Sequence, residues 1–222
     1  MTSFQKPNYM KFIPLGQVGI NICIHTTRNE EGSPPLGLSE IYEELGKLEL
    51  RYRIPTLPEL LKSLRILSDI NSEIREAILM VKTERSSDII CWPNKNWDYA
   101  PGIIEPNPGR GKHVLLIRGA DFEKRGNKKI IKKGERIELP SYSEVVGELK
   151  FPIEELGLSK GDYIFNRPYK MREKNRGVRN LMVGSFTNNF ENVFVNAVFP
   201  PWEARNEIEY RLCTDMISLK KE

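Results

Sequence analysis

Histidine chemistry in this chain has two residues to draw on, His25 and His113, and thiol chemistry has three, Cys23, Cys91 and Cys213. His25 lies close to Cys23, but no H-x-x-H, C-x-x-C or acidic cluster with metal-ligand spacing accompanies either histidine. Folding could still assemble a Ser–His or Cys–His pair, yet no local motif marks one. The stretch "PGRGKH" (108–113) has the glycines and lysine of a phosphate loop. It lacks the Ser or Thr after the lysine that would ligate magnesium, and its first glycine is misplaced, so it reads as a turn. Trp92, Trp97 and Asp98 in "CWPNKNWDY" could line a groove, although tryptophans among short strands more often fill a core. The basic residues Lys124, Arg125, Lys128, Lys129, Lys132, Lys133 and Arg136 could neutralise phosphates. Alternating charge across a hairpin also guards an edge strand against pairing, and nucleic-acid binding is the less favoured reading. The expectation is a protein with no catalytic centre, no metal and no cofactor.

The more informative residues lie near the C-terminus, in "VRNLMVGSFTNNFENVFVNAVFPPWEARNEIEYRLC" (178–213). Apolar residues carry this stretch, but Asn188, Asn189, Asn192, Asn196 and Asn206 interrupt it, and Phe199, Pro200, Pro201 and Trp202 stand together in its middle. Asparagine is a poor strand former, and a Phe-Pro-Pro-Trp run is an odd thing to bury. A framework that alternates with arbitrary residues suggests a surface whose side chains serve contact.

The elements that must position these residues follow from pattern. A chain of 222 residues that is 39% hydrophobic and 29% charged can bury one sizeable core, so a single domain over 1–222 is expected. A net charge of +4 allows an acidic partner without demanding one. No apolar stretch approaches the roughly 18 residues of a membrane span, and "MTSFQKPNYMKFIPLG" lacks a secretory core. A cytoplasmic or virion-associated protein made in a reducing compartment is expected. The three cysteines then read as small buried hydrophobes. Residues 9–27 should open a sheet, and 38–50 reads as a helix capped by Ser39, with Ile41, Leu45 and Leu48 on one face. Thr56, Leu57, Pro58 and Glu59 form a T-x-x-E capping box, followed by Leu60, Leu61, Leu64 and Leu67 at helical spacing. A further helix is expected from Ser72 to Val81. Beyond Asp88, Pro, Gly and Asn imply loops between short strands. "HVLLIRG" and "IIKKGERIELP" read as strands around the charged turn "DFEKRGNKK", "FPIEELGLSKGDYIF" as a helical turn and a strand, and "NLMVGSF", "NVFVNAVF" and "IEYRLCTDM" as short strands. Helices early and strands late argue for an α+β fold with one irregular core.

Two stretches resemble a known superfamily. "RIPTLPELLKSL" (53–64) is similar to the helix start of formylglycine-generating-enzyme-like domains of C-type lectin fold, with Arg53, Pro55, Thr56 and Glu59 matching and Leu57, Pro58 and Leu60 departing. The C-terminal stretch resembles the same superfamily's ending through Val178, Gly184, Ser185, Phe186, Asn188, Asn189, Ile208, Tyr210, Arg211 and Leu212. Glu209 stands in place of the usual glycine, and Met182–Val183 in place of Arg-Gly. The likeness covers about a third of the chain and implies a C-type lectin fold with short irregular antiparallel strands and an inserted segment near 94–165. The enzyme branch's cysteines after Gly-Ser-Phe are absent, as is the histidine-rich iron site of other relatives. An enzyme or cofactor-binding member using other residues remains the alternative, beside a nucleic-acid binder using the 124–136 hairpin. The asparagine-rich ending is closer to the variable proteins of diversity-generating retroelements, in which altered AAC codons change side chains on one exposed face. That resemblance implies a ligand-binding face of Thr187, Asn188, Phe190, Phe194, Asn196, Val198, Phe199, Trp202, Ala204, Arg205 and Asn206. All but Trp202 are residues that an altered AAC codon can encode. Exposed Phe199 and Trp202 would be its hot spots, and the partner would be a protein or cell-surface ligand.

Overall fold

The computed structural model describes residues 12–21, 25–26, 37–46, 52–70, 83–92, 104–105, 114–126, 128–139, 177–185, 193–196, 199–203 and 208–215. Two helices, α1 (Leu38–Leu45) and α2 (Leu57–Ile70), precede most of the strands. A small sheet joins β1 (Phe12–Leu15), β2 (Val18–Asn21) and β11 (Cys213–Asp215) in that order. The larger sheet runs β3 (His25–Thr26), β10 (Ile208–Tyr210), β4 (Thr83–Trp92), β6 (Val114–Arg125), β7 (Lys128–Leu139) and β5 (Ile104–Glu105). Strand β8 (Gly177–Ser185) lies along β4 and carries β9 (Val193–Asn196) on its other side. The architecture is α+β with β-structure dominant.

The Glu59 arm of the capping box forms as its spacing predicts. The Thr56 backbone N–H and hydroxyl both donate to Glu59 Oε2, at 2.8 and 3.0 Å. Arg53 grips the same carboxylate bidentately, at 2.7 and 2.6 Å. Burial works against the Glu59 anion, but Arg53 and the Thr56 donors outweigh it and hold the carboxyl below its usual range. Arg53 and Cys213 also exchange backbone hydrogen bonds, which ties the start of α2 to β11. Helix α1 begins at Leu38, one residue before the expected Ser39 cap, and the Gly37 carbonyl accepts from Ile41 N at 3.0 Å. Leu38, Ile41 and Leu45, at i, i+3 and i+7, are all buried. They join Ile89, Cys91, Leu115, Ile117, Val178, Tyr210 and Leu212 in one core cluster. Ile90 and Leu116, paired across β4 and β6 and alternating with those residues, are also fully buried. Both faces at the centre of the large sheet are therefore covered.

Several expectations are corrected. The residues "DFEKRGNKK" are not a broad turn: β6 and β7 are 12 residues each and run through them to a tight turn at Gly126. Residues 114–139, assigned to an inserted segment, supply the hairpin that pairs with β4 at the middle of the sheet. The strands are not all short or antiparallel, because β10 pairs with β4, and β5 with β7, in parallel. The hairpin bulges where Gly119 and Ala120 stand opposite Gly134 alone, and a Cβ at Gly134 would run into the Ile117 side chain. Cys91 and Cys213 are buried free thiols, as the composition implied. Cys23, His113, Leu48, the stretch from Ser72 to Val81, "PGRGKH", Trp97, Asp98 and "FPIEELGLSKGDYIF" lie outside the described residues.

Candidate ligand-binding face

The Phe-Pro-Pro-Trp run forms a tight turn. Glu203 N donates to Pro200 O at 3.1 Å, which places Pro201 where a β-turn favours proline. Neither proline has an N–H, so their carbonyls are what neighbours can hold. Three elements hold the segment. From β4, Arg85 donates through Nη1 to Pro201 O at 2.7 Å and through Nη2 to Glu203 O at 2.6 Å. From α1, Leu38 N donates to Pro201 O at 2.9 Å, and from β8, Asn180 N donates to Phe199 O at 2.8 Å. Gly37 comes so close that a Cβ there would stand 2.7 Å from Trp202 O. Arg85 is 0% exposed. Burial draws its guanidinium down to about 10, against the opposing pull of the Glu40 and Glu203 charges. It remains cationic at neutral pH.

Beside Arg85 a bulge in β4 organises the site from below. Ser86, Ser87 and Asp88 stand opposite Leu181 alone, between the Arg85–Met182 and Ile89–Asn180 pairs. At this point β4 exchanges one neighbour for another, from β10 at Thr83–Arg85 to β6 at Ile89–Cys91. Several of the bulge's polar groups are paired, although the buried Ser87 hydroxyl finds no partner among the described residues. Asn180 Nδ2 donates to Ser86 O and Asp88 O at 2.8 and 2.9 Å, and Ser86 Oγ donates to Leu181 O at 2.6 Å. Ser87 N donates to Pro55 O at 2.8 Å. The Asp88 carboxylate accepts from Leu57 N at 3.1 Å and from Gly119 N at 2.8 Å, joining α2 to the hairpin bulge. Burial nevertheless raises Asp88 to about 6, ahead of the lowering effects of those two amides and Arg118. One residue before Arg85, Glu84 meets Arg211 Nε at 2.7 Å, with both side chains almost wholly buried.

The predicted face is described in part. Phe199 and Trp202 are brought together in the turn. Both are half-buried and not fully exposed, and Trp202 packs with Tyr42 against the core cluster. Phe194 and Asn196 lie in β9, in register with Gly184 and Met182. Thr187, Asn188, Phe190, Val198, Ala204, Arg205 and Asn206 lie outside the described residues. Sequence reasoning missed Arg85, Glu84, Asp88, Asn180 and Gly37. The available signal was "ERSSD" immediately before the apolar "IIC", a polar run that an apolar strand continues. On the basic hairpin, Arg125 and Lys132 both contact Glu123, at 2.7 and 3.2 Å, while Lys133 and Arg136 are exposed. Among the described residues no group of three or more His, Cys, Asp or Glu is placed to hold a metal ion. No helix among them is long and apolar enough to cross a membrane.

Searches against protein-family models, curated proteins and solved structures return no match to this chain.

Proposed function

We propose that this chain is a ligand-binding protein of C-type lectin fold whose C-terminal surface is diversified by retroelement mutagenesis and captures a protein or cell-surface ligand. We ascribe no catalysis to it. The observation that carries this reading is the contrast along the C-terminal stretch. Val178, Asn180, Leu181, Met182 and Val183 on one side, and Ile208 and Tyr210 through Thr214 on the other, are buried framework. Between them stands a half-exposed aromatic turn bearing Phe199 and Trp202. The Arg53–Glu59–Thr56 network adds support, because it joins three of the residues that carry the upstream half of the family resemblance. A fixed scaffold lowers the ordering entropy that contact side chains lose on binding. Large aromatic groups with few torsions then contribute most of the contact energy.

Deep sequencing of the gene's 3′ end across the population that carries it tests the proposal. Substitutions confined to adenine-derived positions between about Phe186 and Glu207, with Gly184, Ile208 and Arg211 fixed, are the expected outcome. A uniform sequence, or changes spread evenly along the gene, would overturn it.

A further inference from the structure

A buried arginine usually pairs with a carboxylate, whereas among the described residues the hydrogen bonds of Arg85 go elsewhere. Its described hydrogen bonds go to two main-chain carbonyls far along the chain, Pro201 O and Glu203 O. The guanidinium fork presents several donors in one plane, which suits it to hold two acceptors at a fixed spacing where a lysine could reach only one. Leu38 N shares the Pro201 carbonyl, and Asn180 N holds the Phe199 carbonyl. Each of these bonds is made to backbone atoms. Substituting the side chains of Phe199 or Glu203 removes none of the acceptors.

We infer that Arg85 is the positioning residue of the candidate binding face: it fixes the main chain of the Phe199–Glu203 turn from inside the fold, without regard to the side chains the turn displays. The inference rests on the reading of this turn as a binding surface, and it deepens that reading by naming the residue that sets the surface's shape. Two side chains depart from this indifference: Trp202 also packs on the core, and the Glu203 charge acts on Arg85.

Amide hydrogen exchange on the full chain separates a positioning role from a general structural one. Arg85→Met removes the donors and also the buried charge, and leaves the Pro201 and Glu203 carbonyls without the bonds Arg85 gives them. The Glu203 amide, which closes the turn on Pro200 O, is the reporter, and the Leu116 amide in β6 is the reference. The expected result is exchange on the order of tenfold to a hundredfold faster at Glu203, with Leu116 unchanged. Arg85→Lys, which keeps the charge and reaches one carbonyl, should give an intermediate acceleration and decides the matter should the methionine variant not fold. Unchanged exchange at Glu203, or equal acceleration at Glu203 and Leu116, overturns the inference. The sequencing experiment addresses the binding-surface reading by itself, so the two can fail separately.

Discussion

Replacing Asp88 by asparagine separates what burial costs this carboxylate from what its amide donors return. Two backbone N–H groups point at it, from Leu57 and Gly119, and donors of that kind alone would lower its pKa. Burial is the larger influence, and it raises the group from 3.8 to about 6. Because the folded value lies above the unfolded one, the native state holds the proton more tightly. The stability this group contributes is complete below about pH 3.8, falls as the pH rises, and is gone above about pH 6. A shift of about two units is worth roughly 3 kcal/mol. Asparagine does not titrate, so Asp88→Asn removes this slope while other carboxylates, such as Glu59, largely cancel in the comparison. Urea unfolding followed by circular dichroism from about pH 4 to about pH 7 measures it. The stability advantage of wild type over the variant should be larger at the acidic end by roughly 2–2.5 kcal/mol, since about pH 4 stops just short of the full effect. A difference that is flat, or that widens towards neutral pH, would mean that the amide donors and Arg118 outweigh burial, and the ordering of effects argued here would be wrong.

Other perturbations probe the same region. Glu84→Gln or Arg211→Met should each cost about 3–5 kcal/mol by stranding a buried charge, and the double variant should cost clearly less than their sum in denaturant titrations. Simple additivity would mean the pair is not coupled. Gly37→Ala places a Cβ 2.7 Å from both Trp202 O and Glu40 Oε2, and the repacking should cost about 1–3 kcal/mol as a lowered melting midpoint. An unchanged midpoint would show that α1 and the turn yield to each other freely. Phe199→Ala should cost about 1–2 kcal/mol and Trp202→Ala more, about 2–3 kcal/mol, since Trp202 packs on the core. Both variants should remain folded by circular dichroism and lose ligand capture. Loss of soluble protein in both would make them core residues instead of contact residues.

What the sequence disclosed and what it hid divide along a physical line. The capping box was legible because Thr56, Pro58 and Glu59 act within one helical turn, where spacing alone fixes geometry. Buried Leu38, Ile41 and Leu45 were legible for the same reason. The long β6–β7 hairpin was half-read. Its charged middle resembles a turn, but Glu123 meets Arg125 and Lys132 on the solvent side, and the strands continue beneath. Strand β4 was hidden almost completely in its first half. Glu84, Arg85 and Asp88 violate every rule for a buried strand unless their partners are known. Those partners are Arg211, the carbonyls of Pro201 and Glu203, and the amides of Leu57 and Gly119. All lie far away in sequence, where no local periodicity can register them. The candidate face suffers the same limit under the proposed reading, in which its side chains serve contact and carry no structural pattern.

The two sheets take their last strands from the far end of the chain. β10 pairs with β3 and with the first half of β4, and β11 pairs with β2. Contacts of such long separation form late and make folding slow. During synthesis, β2, β3 and the start of β4 must wait with open edges until residues beyond the aromatic turn have left the ribosome. A chain cut short anywhere in the proposed variable stretch therefore lacks the strands that complete both sheets. The fold acts as a proofreader of length: a frameshift or stop codon arising in this stretch yields a chain unable to complete its sheets, and not a folded protein with a defective face.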